Sequence, residues 1–128
     1  MNIPDDRPYS SDHVWIRRDG DSAIVTVGIT DFAQDSLGDV VFVEVPDVGG
    51  SFSASDTVTE VESTKSVSDI YAPLDGTISA VNDALDDQPE LLNSDPSGEG
   101  WICKIEMSDP AQFEALLDAA AYRALTEG

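Results

Sequence analysis

A short β-prone run closed by a proline turn occurs twice in this chain, and the two copies bracket one hairpin. They are Val45-Pro46-Asp47-Val48-Gly49 and Ala72-Pro73-Leu74-Asp75-Gly76, one on each side of Lys65. Two related halves that meet at a central hairpin place Lys65 at the tip of a pseudo-symmetric sandwich. Lys65 itself lies between two short β-prone runs, in the stretch Thr57 to Gly76, where a tight turn is expected. A lysine there projects a flexible four-carbon stem ending in a nucleophilic amine, which makes it an attachment post. Most lysines in polar turns are merely solvated, so the surroundings of Lys65 must decide what it is for.

The remaining elements read as mainly β with peripheral helices, an α+β arrangement. His13 to Arg17 and Ala23 to Ile29 form strands joined by the turn Arg18-Asp19-Gly20-Asp21, since Asp-Gly between β-prone runs is a strong hairpin signal. Thr30 caps a helix from Asp31 to Leu37, and Gly38 is placed to end it. Val40 to Val45 is apolar at nearly every position and is expected to be buried on both faces. Gly76 to Val81 continues as a strand, and Asn82 can cap a short helical segment. Residues 86–100 are polar, with Pro89, Pro96, Gly98 and Gly100 and a turn at Glu90-Leu91-Leu92, and read as a long surface connection before a last strand from Trp101 to Met107. Ser108-Asp109-Pro110 then opens a C-terminal helix of about 109–125, with Phe113, Leu116, Leu117, Ala120 and Ala124 on one apolar stripe that docks on the β-core. The chain thus reads as an N-terminal arm over 1–10 and a single domain over 11–128.

Charge excludes several partners. Twenty-six acidic residues against six basic ones leave a formal net charge of −20. Nucleic acid and anionic membrane surfaces are repelled, because binding them requires clustered Lys and Arg. The acids recur from Asp5 to Glu127 rather than forming a tail, so they describe a solvated surface. Such a surface suits a salt-rich cytoplasm, where the Debye length falls to about 3 Å at 1 M and self-repulsion is screened. No apolar run approaches the roughly 20 residues of a membrane helix. Met1 to Asp6 has neither the basic nor the apolar region of a signal peptide, so a cytoplasmic location is expected; the chain is separately expected to be a monomer.

The chain has little equipment for chemistry of its own. One cysteine, Cys103, and one histidine, His13, permit no intrachain disulfide and no cysteine–histidine zinc site. Cys103 falls in a strand-like alternation and reads as a packed thiol; a Cys103–His13 dyad has no orienting motif behind it. No phosphate loop, metal-ligand spacing or Ser-His-Asp arrangement is present. A non-catalytic carrier, whose reactive group is attached later, fits this inventory.

Glu62-Ser63-Thr64-Lys65, followed by Ser68-Asp69-Ile70-Tyr71-Ala72-Pro73 and Gly76, resembles the lipoyl-lysine hairpin of glycine cleavage system H proteins. The resemblance extends from about Tyr9 to Tyr122. It includes Val27 to Gln34, Leu37 to Pro46, Val81 to Leu85, Pro89 to Asn93 and Gly98 to Trp101. It implies a lipoyl-type barrel-sandwich hybrid with lipoate in amide linkage to Lys65, and Glu62 and Gly76 helping to position that lysine for a lipoylating enzyme. It also implies three further partners. A pyridoxal-phosphate glycine decarboxylase loads an aminomethyl group, a tetrahydrofolate-dependent aminomethyltransferase removes it, and dihydrolipoamide dehydrogenase reoxidises the arm. In the family the loaded arm folds into a cleft on the carrier's own surface.

Departures from the family pattern are informative. The family often reads His-Glu-Trp where this chain has His13-Val14-Trp15, so a cleft carboxylate is missing at Val14. Asp12 or Asp69, with His13, is the expected substitute. Ser55 and Thr59 stand where glycines are frequent before the hairpin, and Ser66 where many members have alanine. Biotin carriers flank their lysine with methionines, whereas Thr64 and Ser66 flank Lys65. The alternatives left open are a relay that donates lipoate to 2-oxoacid dehydrogenases and a scaffold without lipoate.

Overall fold

A computed structural model of the chain describes residues 7–18, 20 and 22–127. Its strands are β1 (Val14–Arg18), β2 (Ile24–Ile29), β3 (Val40–Val43), β4 (Ser51–Phe52), β5 (Thr57–Ser63), β6 (Val67–Tyr71), β7 (Gly76–Val81) and β8 (Cys103–Met107). The helices are α1 (Asp31–Leu37), α2 (Ala84–Asp87), α3 (Leu91–Ser94), α4 (Pro110–Glu114) and α5 (Ala119–Glu127). Five strands form one antiparallel sheet in the order β1-β2-β8-β7-β4, and three form a second in the order β3-β5-β6. The two proline turns do the same job: one leads from β3 to β4, the other from β6 to β7, and each crosses from the small sheet to the large one. The two arrivals then pair, Ser51 with Thr77 and Phe52 with Gly76.

Alternating apolar residues from both sheets meet in one core. Val14, Ile16, Val25, Val27, Ile29, Ile78 and Ile105 come from the large sheet, and Val40, Val43 and Val61 from the small one. Each fully buried aliphatic side chain of this kind contributes about 1.5–3 kcal/mol. Gly76 is needed here for close approach, since a Cβ would come within 2.4 Å of Ile105 Cγ2 and 2.5 Å of the Glu106 carbonyl. A second, smaller cluster holds Tyr9, Trp15, Ala119 and Tyr122, with the Tyr9 and Tyr122 rings stacked at 4.6 Å. The Trp15 indole N–H donates to the Pro96 carbonyl at 2.8 Å.

Three expectations need correction. Val40–Val43 is buried only at its two ends, and Val41 and Phe42 face solvent, because a register shift interrupts the pairing of β3 with β5. Residues 86–100 are more than a surface connection: they hold the end of α2 and all of α3, and Leu92, Pro96 and Gly100 are buried. The C-terminal helix is two helices. Leu117 exchanges backbone hydrogen bonds with Tyr9, at 2.7 and 2.8 Å, and this bridge removes it from any helix. Ala120 and Ala124 are consequently exposed, while Ala119 and Tyr122 are buried in their place. The same bridge docks residues 7–10 of the arm, with Tyr9 buried. Residues 1–6 of the arm, and Asp19 and Asp21 of the first turn, lie outside the described residues.

Local signals held elsewhere. The Thr30 hydroxyl accepts from the Ala33 amide and starts α1, and Gly38, at φ +81° and ψ −156°, ends it. Asn82 accepts from the Ala84 amide at 3.3 Å. Asp109 accepts from the Ala111 amide, with Pro110 first in α4. Among the described residues no helix is long and apolar enough to cross a membrane.

Candidate functional site

Lys65 occupies the turn between β5 and β6, and serine chemistry closes that turn. The last strand pair is Glu62 with Val67, after which the Ser63 amide donates to the Ser66 carbonyl at 2.9 Å. The Ser63 hydroxyl oxygen folds back to accept from the amides of Lys65 and Ser66, both at 3.2 Å. Hydroxyls that bond to backbone a few residues on are a recognised way to fix a tight turn. The Thr64 amide donates to the Asp39 carbonyl at 3.0 Å, which fastens the hairpin tip to the start of β3.

The stem of Lys65 lies across Gly38. A Cβ at Gly38 would come within 3.1 Å of Lys65 Cε and 3.7 Å of Nζ. The backbone angles of Gly38 are themselves almost exclusive to glycine. One residue therefore ends α1 and leaves a bed for the lysine. Asn93, in α3, holds that bed in place. Its Oδ1 accepts from the Val40 amide at 2.8 Å, and its Nδ2 donates to the Gly38 carbonyl at 2.8 Å and to Gln34 Oε1 at 3.1 Å. The chain of support thus runs from Asn93 through residues 38–40 to Thr64 and Lys65. Lys65 is exposed, and among the described residues no hydrogen bond or ion pair engages its Nζ.

The residues expected at the site divide into three places. Glu62 is beside Lys65 on the hairpin, exposed and opposite Val67. Asp69 is exposed further along β6, opposite Glu60. Gly76 is not part of the cluster; it is buried in β7 of the other sheet, where close packing accounts for it. Asp12 and His13 belong to the opposite end of α1, where the Thr30 amide donates to the His13 carbonyl at 3.1 Å. Asp12 lines a cavity of about 260 Å³ together with Ser55, Pro73 and Leu116.

His13 is held from several sides. Its ring stacks on Phe32 at 4.5 Å, and its Nδ1 is hydrogen-bonded to the Tyr122 hydroxyl at 2.8 Å. That hydroxyl also meets Thr30 Oγ1 at 2.7 Å. Burial lowers the His13 pKa from its ordinary value, against the opposing pull of the Asp12 carboxylate. Burial likewise raises the Tyr122 phenol, with the Thr30 hydrogen bond working the other way. Cys103 is fully buried in the main core, and burial pushes its thiol up to about 12. Cys103 is packed within the main core, whereas His13 lies against Phe32 and Tyr122, so the two are held in different settings.

Ser55 has φ +75°, a backbone position that costs a non-glycine residue about 1–2 kcal/mol. The turn that glycine favours is thus kept in spite of the serine. Sequence reading missed the roles of Gly38, Asp39 and Asn93. Gly38 was legible as a helix stop, but its contact with Lys65 and its bond to Asn93 join residues far apart in the chain, which no local pattern reveals.

Residues 7–128 match the family described as Glycine cleavage H-protein. A glycine cleavage system H protein of Cronobacter sakazakii is 56% identical over 126 residues, covering 98% of this chain and 97% of that one. The protein of the same name from Mycobacterium avium is 56% identical over 131 residues, covering 98% of each. The crystal structure of a glycine cleavage system H protein from Mycobacterium marinum superimposes with a TM-score of 0.87 at 42% identity, over 98% of this chain and all of that one. Sequence and fold agree over nearly the whole length, and the chain belongs to the glycine cleavage H-protein family.

Proposed function

We propose that this protein is the lipoyl-bearing carrier of the glycine cleavage system, with lipoate in amide linkage to Nζ of Lys65. The observation that carries this reading is the setting of Lys65: a rigidly closed turn, an exposed amine with no partner among the described residues, and a glycine-floored bed under its stem. A rigid base with a mobile end is what a swinging attachment needs. When bound, lipoate supplies a dithiolane that is reduced as it takes up a one-carbon amine and is later reoxidised. The partners are then the glycine decarboxylase, the aminomethyltransferase, dihydrolipoamide dehydrogenase and a lipoylating enzyme. Tethering presents one reactive group to each enzyme at effective millimolar concentration. In this reading the reactive group is the attached one, and the buried Cys103 thiol, pushed up to about 12, takes no part. We place it in the cytoplasm.

The same reading assigns the resting place of the arm. α1 separates Gly38, under Lys65, from Thr30, which bonds to His13. Seven residues of helix span about 10 Å, a distance within reach of an extended lysyl-lipoyl chain. Asp31, Phe32, Gln34 and Asp35 line a cavity of about 210 Å³ along this helix. Asp12 and His13 would close its far end, and Asp69 the hairpin side. If replacing Asp12 and Asp69 by Asn leaves the half-life of the loaded carrier unchanged, neither carboxylate protects it.

Intact mass of the protein from its native cell, with peptide mapping of residues 57–76, tests the central assignment. An added lipoyl group on Lys65 supports it. An unmodified Lys65 in cells that contain lipoate overturns it.

A further inference from the structure

β3 turns two consecutive large apolar side chains into solvent, where a regular strand would turn one. Val41 is 54% exposed and Phe42 is 48% exposed. The cause is a bulge: Val40 faces Ser63 and Phe42 faces Glu62, which leaves Val41 as the extra residue. Bulges re-aim side chains and are found beside functional sites. Phe42 opposes Glu62, and Glu62 opposes Val67, which is 57% exposed. One row of the sheet therefore reads Phe42, Glu62, Val67 and ends against the turn that carries Lys65.

The next row is wholly acidic. The Glu44 amide donates to the Glu60 carbonyl at 2.9 Å, and Glu60 is paired with Asp69. Like charges opposite one another destabilise a sheet. Lys65 is the only basic residue in β3, β5, β6 and the turn between β5 and β6. The face thus combines an uncovered apolar spot with a carboxylate border that this sheet leaves unneutralised. Its complement is an apolar recess rimmed by arginine or lysine.

We propose that this face is the docking surface for the enzyme that attaches lipoate. The proposal rests on Lys65 being the lipoylated residue. Reach selects this partner from the others. Five bonds separate Lys65 Cα from Nζ, so the bare side chain extends roughly 6 Å. The Nζ amine must attack the carboxyl carbon of an activated lipoyl donor, forming the N–C bond as the activating group leaves and a proton is released from nitrogen. An enzyme that performs this on so short a side chain must press against the hairpin and the row beside it. Enzymes that use the finished arm work at about twice the reach and can stand further off.

The test uses the full chain with a lipoate–protein ligase, lipoate and MgATP, followed by mass spectrometry. Phe42→Ser and Val67→Ser should each lower kcat/KM for lipoylation about tenfold, the scale of losing an interface anchor. Glu44→Gln with Glu60→Gln should slow the reaction several-fold at low salt and less at high salt. Acetylation of Lys65 by a small active ester should stay within twofold of wild type, as should loading of the fully lipoylated variants by glycine decarboxylase. Lipoylation of Phe42→Ser and Val67→Ser within twofold of wild type overturns the proposal while leaving the carrier reading intact. An equal loss in the small-ester reaction assigns the effect to the lysine and overturns it. So does an equal loss in decarboxylase loading, which would make the face a general one. Failure of the wild-type chain to be lipoylated at Lys65 removes both readings together.

Discussion

Asn93→Ala tests whether the Lys65 hairpin is positioned from α3. The substitution removes three hydrogen bonds, and their costs differ. The Val40 amide, which donates to Asn93 Oδ1 at 2.8 Å, belongs to a buried residue and is left without a partner. Orphaning such a donor costs about 1–3 kcal/mol. The Gly38 carbonyl loses its 2.8 Å bond from Nδ2 but is half-buried and can regain part of it from water, for about 0.5–1 kcal/mol. The Gln34 amide turns to solvent at little cost. The sum is about 1.5–4 kcal/mol, enough to lower the urea midpoint by about 0.8–2 M if m is near 2 kcal/mol/M. Urea is the right denaturant because guanidinium would also screen a net charge of −20. The local readout is the Thr64 amide, which donates to the Asp39 carbonyl inside the segment that Asn93 holds. Its hydrogen exchange should quicken by more than that of amides in β8. A midpoint within about 0.3 M of wild type, or a Thr64 amide as protected as before, would refute the argument that α3 supports the hairpin.

Burial depresses the His13 pKa below its ordinary 6.5, so the unfolded chain binds a proton more readily. Its contribution to stability is therefore full above about pH 6.5 and is lost as pH falls through the lower folded value. The only histidine gives one NMR titration; a midpoint above 6.5, or a pH–stability slope that survives in His13→Gln, contradicts this. The Cys103 thiol, pushed up to about 12, should resist a thiol-exchange reagent at pH 8 in the native state and react to one equivalent in urea. Rapid native labelling would mean that the core around β8 opens easily. The melting temperature should rise with KCl, because screening relieves rows such as Glu44, Glu60 and Asp69; a flat or falling series would remove the case for a salt-adapted surface.

The parts of this structure that could be read from sequence are those whose cause is local. Thr30 and Gly38 bound α1 through a hydroxyl cap and a backbone angle, each set within a few residues. The paired proline turns could be read because both must carry the chain between sheets. The misses share a different origin. Apolar periodicity predicts a single C-terminal helix, yet Leu117 is claimed by Tyr9, more than one hundred residues away. Val41 and Phe42 look like core because hydropathy cannot show a bulge, which exists only in the register of two strands. Asn93 looks like a loop residue because its partners, Gly38 and Val40, are 55 and 53 positions distant. Gly76 stands apart from these misses: it is buried where β7 packs closely on β8.

Two of the misread positions, the β3 bulge and Asn93, lie close to the lysine that the sequence singles out. The bulge in β3 begins two residues after Gly38, which lies under Lys65, and one after Asp39, which holds Thr64. A regular strand there would turn Val41 inward and leave Phe42 alone outside, and the edge beside Lys65 would lose half its apolar surface. The same short segment therefore ends a helix, floors the lysine, anchors the hairpin tip and exposes an apolar pair. Asn93 is the common fastening of the first three, through Gly38 and Val40. Loosening it should blur the bed, the tip and the bulge together. An Asn93→Ala chain should accordingly lose lipoylation rate in proportion to the added exchange at Thr64, and a loss confined to one of the two would separate the fastening from the face it supports.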